Sequence, residues 1–288
     1  MKKLSVVVIG SNGQLGSDLV ESWSRAGCDV ASLTHADIRV EDADSVGMVL
    51  AALKPGIVLN TAAFHNAPKC EEQPDVSFAV NGKGSLNVAK ACEDLGSAYA
   101  YFSTDYVFDG KKRAPYTETD IPNPLNVYAA TKLIGEYSAL NYCRRGFVFR
   151  VSGIYGKVPC RAKGGNFVTT MVRYAAEKPE VRVVTDEILT PTPTADIAAA
   201  SVRLLDSGEP GLYHLTSEGE CSWFEFAQVI FETLRLTTPL RAARVAEFPS
   251  SVKRPQYSVL ENARMKQLGV PTLPHWREAL VSFLKSTY

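Results

Sequence analysis

Ser5-Val6-Val7-Val8-Ile9-Gly10-Ser11-Asn12-Gly13-Gln14-Leu15-Gly16 joins an apolar, mostly β-branched run to three glycines spaced three apart, directly before an amphipathic stretch from Gln14 to Ala26. The run reads as a buried strand, the glycines as a tight turn, and Gln14–Ala26 as a helix. Glycine permits a sharp turn and the close approach of a pyrophosphate, and a helix N-terminus offers unpaired N–H groups with a partial positive charge. At the first strand-to-helix junction, this pattern predicts a dinucleotide site.

Outward from that turn, β-branched runs alternate with amphipathic ones as far as residue 150. Strands are expected at Ser5–Gly10, Asp29–Leu33, Gly56–Asn60, Ala98–Ser103 and Gly146–Val151. Helices are expected at Gln14–Ala26, Asp42–Leu53, Val76–Leu95 and Tyr128–Asn141. Strand–helix alternation of this kind builds an α/β fold, a Rossmann-type doubly wound parallel sheet. Beyond residue 150, Gly164-Gly165, Pro179, Pro191 and Pro193 interrupt the rhythm before a helical run at Thr194–Leu205. Ser222 with Glu225 three residues on marks a capped helix to Leu234, and Trp276–Leu284 reads as a terminal helix. The expected division is a dinucleotide-binding core over 1–150, rejoined by 182–206, with 151–181 and 207–288 forming a smaller substrate lobe.

Composition narrows the partners. Lysine plus arginine and aspartate plus glutamate balance at 31 each, so no basic field exists to hold a nucleic acid. No apolar run approaches the roughly 20 residues that span a bilayer, so no membrane partner is expected. Met1-Lys2-Lys3 and the apolar run after it lack a small-residue cleavage site, so they read as a strand and not as a signal peptide. Six cysteines without a CxxC pair and four histidines without HxxxH spacing indicate neither a metal site nor a disulfide framework. Reduced thiols in the cytoplasm are the expectation.

At the end of the second strand, Ala31-Ser32-Leu33-Thr34-His35 lacks the acidic residue that would hold an adenosine ribose, which favours NADP(H) over NAD(H). Arg39 or His35 could meet a 2′-phosphate or be solvated loop charges. Asp37-Ile38 could face an adenine or belong to a plain turn.

Tyr128-Ala129-Ala130-Thr131-Lys132 sets a phenol and an amine one helical turn apart on one face, and Ser103-Thr104-Asp105 closes a strand about 25 residues earlier. With the glycine turn, these features resemble the extended short-chain dehydrogenase/reductase family. That resemblance implies a catalytic set of Thr104, Tyr128 and Lys132. Tyr128 would give a proton to a carbonyl oxygen while nicotinamide supplies hydride, Lys132 would lower the phenol pKa and hold the nicotinamide ribose, and Thr104 would hydrogen-bond the carbonyl.

Longer strings are similar to the dTDP-4-dehydrorhamnose reductase family over nearly the whole chain: Phe102-Ser103-Thr104-Asp105-Tyr106-Val107-Phe108-Asp109-Gly110, Pro122-Asn123-Pro124-Leu125-Asn126-Val127-Tyr128, Gly211-Leu212-Tyr213-His214-Leu215-Thr216, Ser222-Trp223-Phe224-Glu225 and Arg254-Pro255. The resemblance implies reduction of a 4-keto group on a nucleotide-linked 6-deoxysugar. Its cofactor contacts would be Gly10, Asn12, Gly13, Gln14, Leu15, Gly16, Asp37, Ile38, Ala62, Ala63, Ser103, Tyr128 and Lys132. Its substrate contacts would be Thr104, Asp105, Asn166 and Phe167, with the opening of a packed helix as the competing reading of Asn166-Phe167. A homodimer is left open.

Departures from the family pattern gather on the substrate side. Gly153 stands where the family typically has a sugar-contacting tryptophan, and Phe64-His65-Asn66-Ala67-Pro68-Lys69 and Asp186–Thr192 also differ. A different or bulkier sugar and drift on a tolerant loop are competing readings. Two other functions stand beside the reductase. A sugar-nucleotide epimerase or dehydratase is one, though the Asp-Glu pair expected of a dehydratase is Asp105-Tyr106 here. The other is a non-catalytic NADP-binding regulatory subunit resembling the methionine adenosyltransferase β subunit.

Overall fold

The computed structural model describes residues 3–160, 164–207 and 209–288. The chain runs β1 (Ser5–Ile9), α1 (Gln14–Arg25), β2 (Asp29–Leu33), α2 (Ala43–Leu53), β3 (Ile57–Asn60), α3 (Ala67–Glu72), α4 (Pro74–Ser77), a π-helical turn (Phe78–Lys83), α5 (Gly84–Leu95) and β4 (Ala98–Thr104). It continues through α6 (Val127–Tyr142), β5 (Gly146–Val151), α7 (Phe167–Glu177), β6 (Val181–Val184), β7 (Ile188–Leu189) and α8 (Thr194–Ser207). The last part comprises β8 (Gly211–His214), β9 (Cys221–Ser222), α9 (Trp223–Leu234), β10 (Leu240–Ala243), α10 (Ala263–Gln267) and α11 (Trp276–Thr287).

Six parallel strands form the main sheet in the order β2-β1-β3-β4-β5-β8. This is the Rossmann-type doubly wound sheet the alternation predicted. The order reverses between β1 and β3, and the loops leaving those strands open the crevice in which such sheets bind ligands. Side-chain alternation in β1 explains the two layers of helices. Val6 and Val8 face one core with Leu15, Leu19 and Trp23 of α1 and Ile197 of α8, while Val7 and Ile9 face a second with Val46 of α2 and Val88 of α5.

A third core lies outside the sheet. Val168 and Met171 of α7, Val181 and Val183 of β6, Phe226 and Ile230 of α9, and Leu280 and Leu284 of α11 close around Tyr155. Here β6 pairs with β10, not with the main sheet. Two boundaries therefore differ from expectation: 182–184 belongs to the small sheet, and β8 returns to the main sheet beyond residue 207. Strand β8 finds its place because Phe147 and Phe149 of β5 pack against Tyr213.

The helix expected over Val76–Leu95 is also interrupted. Within the π-helical turn, the Asn81 side chain receives the Phe64 N–H, donates to the Phe64 carbonyl and bonds Thr131 of α6. A wide turn that directs a buried polar side chain to another segment in this way is common beside functional sites.

Helix α6 crosses β4 closely enough that glycine is required at position 135. A Cβ there would stand 2.2 Å from Tyr101 Oη and 2.6 Å from the Asn81 carbonyl oxygen. Gly135→Ala should lower unfolding stability by about 2 kcal/mol through this overpacking, read as an earlier urea midpoint at an unchanged slope.

Candidate active site

Gly10 ends β1 at φ +79°, and the Gly13 N–H closes the turn on the Gly10 carbonyl at 3.0 Å. A Cβ at Gly16 would stand 2.2 Å from that carbonyl, so α1 approaches the turn only because position 16 is bare. Gly13 caps α1 without a side chain, leaving the first helical N–H groups for an anion. The turn thus fits a dinucleotide pyrophosphate. Asn12 is exposed at its tip and Leu15 points into the core. After β2, the Asp37 carboxylate accepts from the Thr34 N–H and hydroxyl at 2.8 and 2.7 Å, which holds it below the usual carboxylate range. Ile38 is buried in the second core, while Ala62 and Ala63 line the loop after β3.

Strand β4 delivers Ser103, Thr104 and Asp105 to the carboxyl edge of the sheet, and α6 presents Tyr128 and Lys132 to the same place. Thr104 is the neighbour that most favours ionisation of the Tyr128 phenol, though less than burial opposes it. Tyr106 packs edge-on against the Tyr128 ring, with centroids 6.3 Å apart. Lys132 is 2% exposed, with Nζ 3.9 Å from the Tyr101 ring centroid. Burial lowers its pKa to about 7, and the Glu136 carboxylate acts the opposite way. Lys132 was expected to draw the Tyr128 phenol toward neutrality. Instead, burial pushes Tyr128 well above the usual phenol value, and the groups acting next are Thr104, Asp105, Cys70 and Cys160. The resting phenol is protonated, the state a general acid needs.

Asp105 is buried and accepts three hydroxyls: Thr104 at 3.1 Å, Ser152 at 2.9 Å and Ser258 at 2.6 Å. Burial raises its pKa to about 6, against those three bonds. The Thr104 hydroxyl also accepts the Tyr106 N–H, so it is oriented before any ligand arrives. Beyond Tyr106 opens a groove of about 720 Å³, where Lys111, Arg113, Lys253 and Arg254 outnumber Asp109 and Glu187.

Behind the edge lies a group that motif reading missed. Arg150 of β5 donates to both carboxylate oxygens of Glu136 at 2.9 and 2.7 Å, and Ser103 donates to the same carboxylate. Both charged side chains are 3% exposed. A lone arginine in the apolar run Gly146–Val151 was the readable signal. Ser152 and Ser258, by contrast, carried none.

Asn166 and Phe167 lie at the start of α7. The Asn166 amide donates to Gln14 Oε1 and the Gly156 carbonyl, both at 2.9 Å, and its oxygen caps the helix at Thr169. Phe167 stacks on Trp223, with centroids 4.4 Å apart. Asn166 caps the helix and ties the glycine turn to the lobe. Gly153 sits at φ +52°, where a Cβ would lie 2.9 Å from Leu189 Cδ1 and 3.1 Å from Pro191 Cα. Its neighbours occupy the space a tryptophan needs, so this departure is built into the packing.

A glycine turn at the switch point and a Thr-Tyr-Lys set at the same sheet edge define a dinucleotide-dependent oxidoreductase of the short-chain dehydrogenase/reductase type. The profile of the RmlD substrate binding domain family matches residues 4–288, and the chain belongs to that family. It is 38% identical to the spore coat polysaccharide biosynthesis protein SpsK of Bacillus subtilis over 97% of this chain and 96% of that protein. It is 35% identical to a dTDP-4-dehydrorhamnose reductase of Streptomyces griseus over 95% of this chain and 91% of that enzyme. The crystal structure of dTDP-4-dehydrorhamnose reductase from Bacillus anthracis in complex with NADP superposes with a TM-score of 0.95 at 33% identity, covering 99% of this chain and all (100%) of that one.

Glu136→Gln leaves Arg150 buried without a counter-charge and should cost roughly 3–5 kcal/mol of stability, measured by chemical denaturation. Asp105 predicts a pH signature. With its folded pKa at about 6 and its ordinary value at 3.8, the folded chain keeps a proton that the unfolded chain has released between those values. Stability carried by this group is therefore present at low pH and lost as pH rises through about 6. Urea unfolding from pH 4 to 7 should show the wild type losing up to about 3 kcal/mol relative to Asp105→Asn across that window. Parallel curves for the two proteins would mean that Asp105 titrates normally.

Proposed function

We propose that this chain is an NAD(P)H-dependent oxidoreductase that reduces the 4-keto group of a nucleotide-linked 6-deoxysugar, a dTDP-linked hexose first among them. The observation that carries this reading is the convergence of Thr104, Tyr128 and Lys132 beside the Gly10–Gly16 turn. A bound nicotinamide supplies hydride to the carbonyl carbon. The chain supplies the rest: Tyr128, protonated at rest, gives its proton to the carbonyl oxygen, and Thr104 turns its single hydroxyl proton from Asp105 to that oxygen to polarise it. Lys132, close to its titration point at neutral pH, offers a cation to the phenolate left behind.

The cofactor rests on Gly10, Gly13, Gln14 and Gly16, with Asp37-Ile38, Ala62, Ala63 and Ser103 bordering it. NADP(H) is preferred over NAD(H), a preference supported by the absence of an acid at the end of β2 and by the NADP complex of the Bacillus anthracis relative. The cationic groove next to Tyr106 suits the diphosphate of a nucleotide sugar, and its apolar wall at Phe248 suits a base. A complete proton-delivery set favours the reductase over a regulatory subunit, which has no chemical need of it. The core over 1–150 then carries the cofactor, and the lobe around α7, α9 and α11 carries the sugar nucleotide. The exposed side chains of Phe78, Ile134 and Tyr137 support assembly with a second copy. Among the described residues no helix is long and apolar enough to cross a membrane, and we place the reaction in the cytoplasm.

NADPH oxidation at 340 nm with dTDP-4-keto-6-deoxyhexose should proceed without any partner protein. Tyr128→Phe should lower turnover by about 10²–10⁴ while retaining NADPH binding measured by fluorescence. Full turnover in that variant removes Tyr128 from the role.

A further inference from the structure

The departure at Phe64-His65-Asn66 places an imidazole where the loop after β3 meets the loop after β5. His65 Nδ1 lies 3.2 Å from the Ala63 carbonyl oxygen, and Nε2 lies 3.1 Å from Cys160 Sγ. A carbonyl oxygen only accepts, so Nδ1 carries the ring proton and Nε2 presents its lone pair to the thiol. A thiol facing a base that is itself oriented by a third group has the arrangement that activates sulfur nucleophiles. The other cysteines lack its combination of access and polarity. Cys70, Cys92, Cys143 and Cys221 are buried, and burial pushes Cys28 above the ordinary thiol value. Cys160 is partly exposed. The loops after β3 and β5 both leave the carboxyl edge of the sheet, the edge at which Thr104 ends β4, and His65 follows directly on Ala62 and Ala63.

We propose that Cys160 is a nucleophilic thiol, activated by His65, at the mouth of the Tyr128 site, and that soft carbon electrophiles of the α,β-unsaturated carbonyl class add to it and close the site. In the addition, the thiol proton passes to His65 Nε2 and a sulfur–carbon bond forms at the β-carbon. The double-bond electron pair moves to the α-carbon, which takes the proton back from the imidazolium. Nothing leaves, and no group changes oxidation state. The adduct stands between the loops that border Tyr128, so a substrate carbonyl can no longer reach the phenol. Neither His65 nor Cys160 has a part in hydride or proton delivery to the ketone.

The test is limiting N-ethylmaleimide at pH 7 on the full chain, with time-resolved peptide mass spectrometry over all six cysteines. Cys160 should be labelled first, about tenfold faster than Cys28, and His65→Gln should slow Cys160 by roughly fivefold or more while leaving Cys28 unchanged. Loss of NADPH oxidation should track the Cys160 adduct, and Cys160→Ser should lose the maleimide sensitivity. Labelling that begins at another cysteine overturns the proposal, as does a Cys160 rate indifferent to His65→Gln. A Cys160 adduct formed with full retention of turnover overturns the closure. Labelling order is read by mass and needs no turnover, so a failure of the reductase reading is separately visible.

Discussion

The buried ion pair between Glu136 and Arg150 sets the geometry of everything in front of it. Two charges removed from water are tolerable only when each satisfies the other, and here the guanidinium grips both carboxylate oxygens. Glu136 lies one turn beyond Lys132 on α6, Arg150 lies on β5, and Ser103 joins from β4 immediately before Thr104. The rotation of α6 about its axis is thereby fixed against two strands, and with it the directions of Tyr128 and Lys132. Arg150 also lies over the Phe108 ring and faces His214, which burial and the neighbouring guanidinium keep neutral, its pKa pushed down to about 3. The polar layer thus extends from α6 to β8 with its charges matched.

A second constraint joins the two halves of the molecule. Gln14 opens α1 and donates to the Ile154 carbonyl at 3.2 Å, while its own side-chain oxygen receives Asn166 at the opening of α7. The glycine turn and the lobe that borders the cationic groove therefore share one hydrogen-bonded residue. Helix α7 is thereby tied to the glycine turn through a chain of two side chains.

The resting charge state follows from burial more than from any partner. Desolvation raises Tyr128 and Asp105 and lowers Lys132, so each group is shifted toward its neutral form. A neutral phenol beside a threonine held by Asp105 and the Tyr106 N–H is ready to give a proton. Gly153 is constrained by space: Leu189 and Pro191 press where a side chain would emerge, so the surroundings there are backbone and aliphatic, not aromatic.

Much of this was legible along the chain. Strand–glycine–helix order needs only local conformational rules, so β1, the Gly10–Gly16 turn and α1 were readable, as was the pairing of Tyr128 with Lys132, because helical periodicity alone puts residues four apart on one face. The Ser222–Glu225 capping box was equally local, and it forms as read. The π-helical turn was not, since it exists to aim Asn81 at a loop seventeen residues away. Nor was the return of β8 to the sheet, which depends on aromatic packing across β5. The sequence by itself determined the parallel sheet, the glycine turn and the placing of Tyr128 and Lys132 on one helix face, because those rest on short-range periodicity and backbone freedom. Tertiary structure alone decided that Glu136 would meet Arg150, that Asp105 would collect hydroxyls from three segments, and that His65 would face Cys160. Apart from the adjacent Thr104, the partners in those contacts come from separate elements, from Glu136 and Arg150 on neighbouring α6 and β5 to Asp105 and the distant Ser258, and only packing determines which buried polar groups find partners.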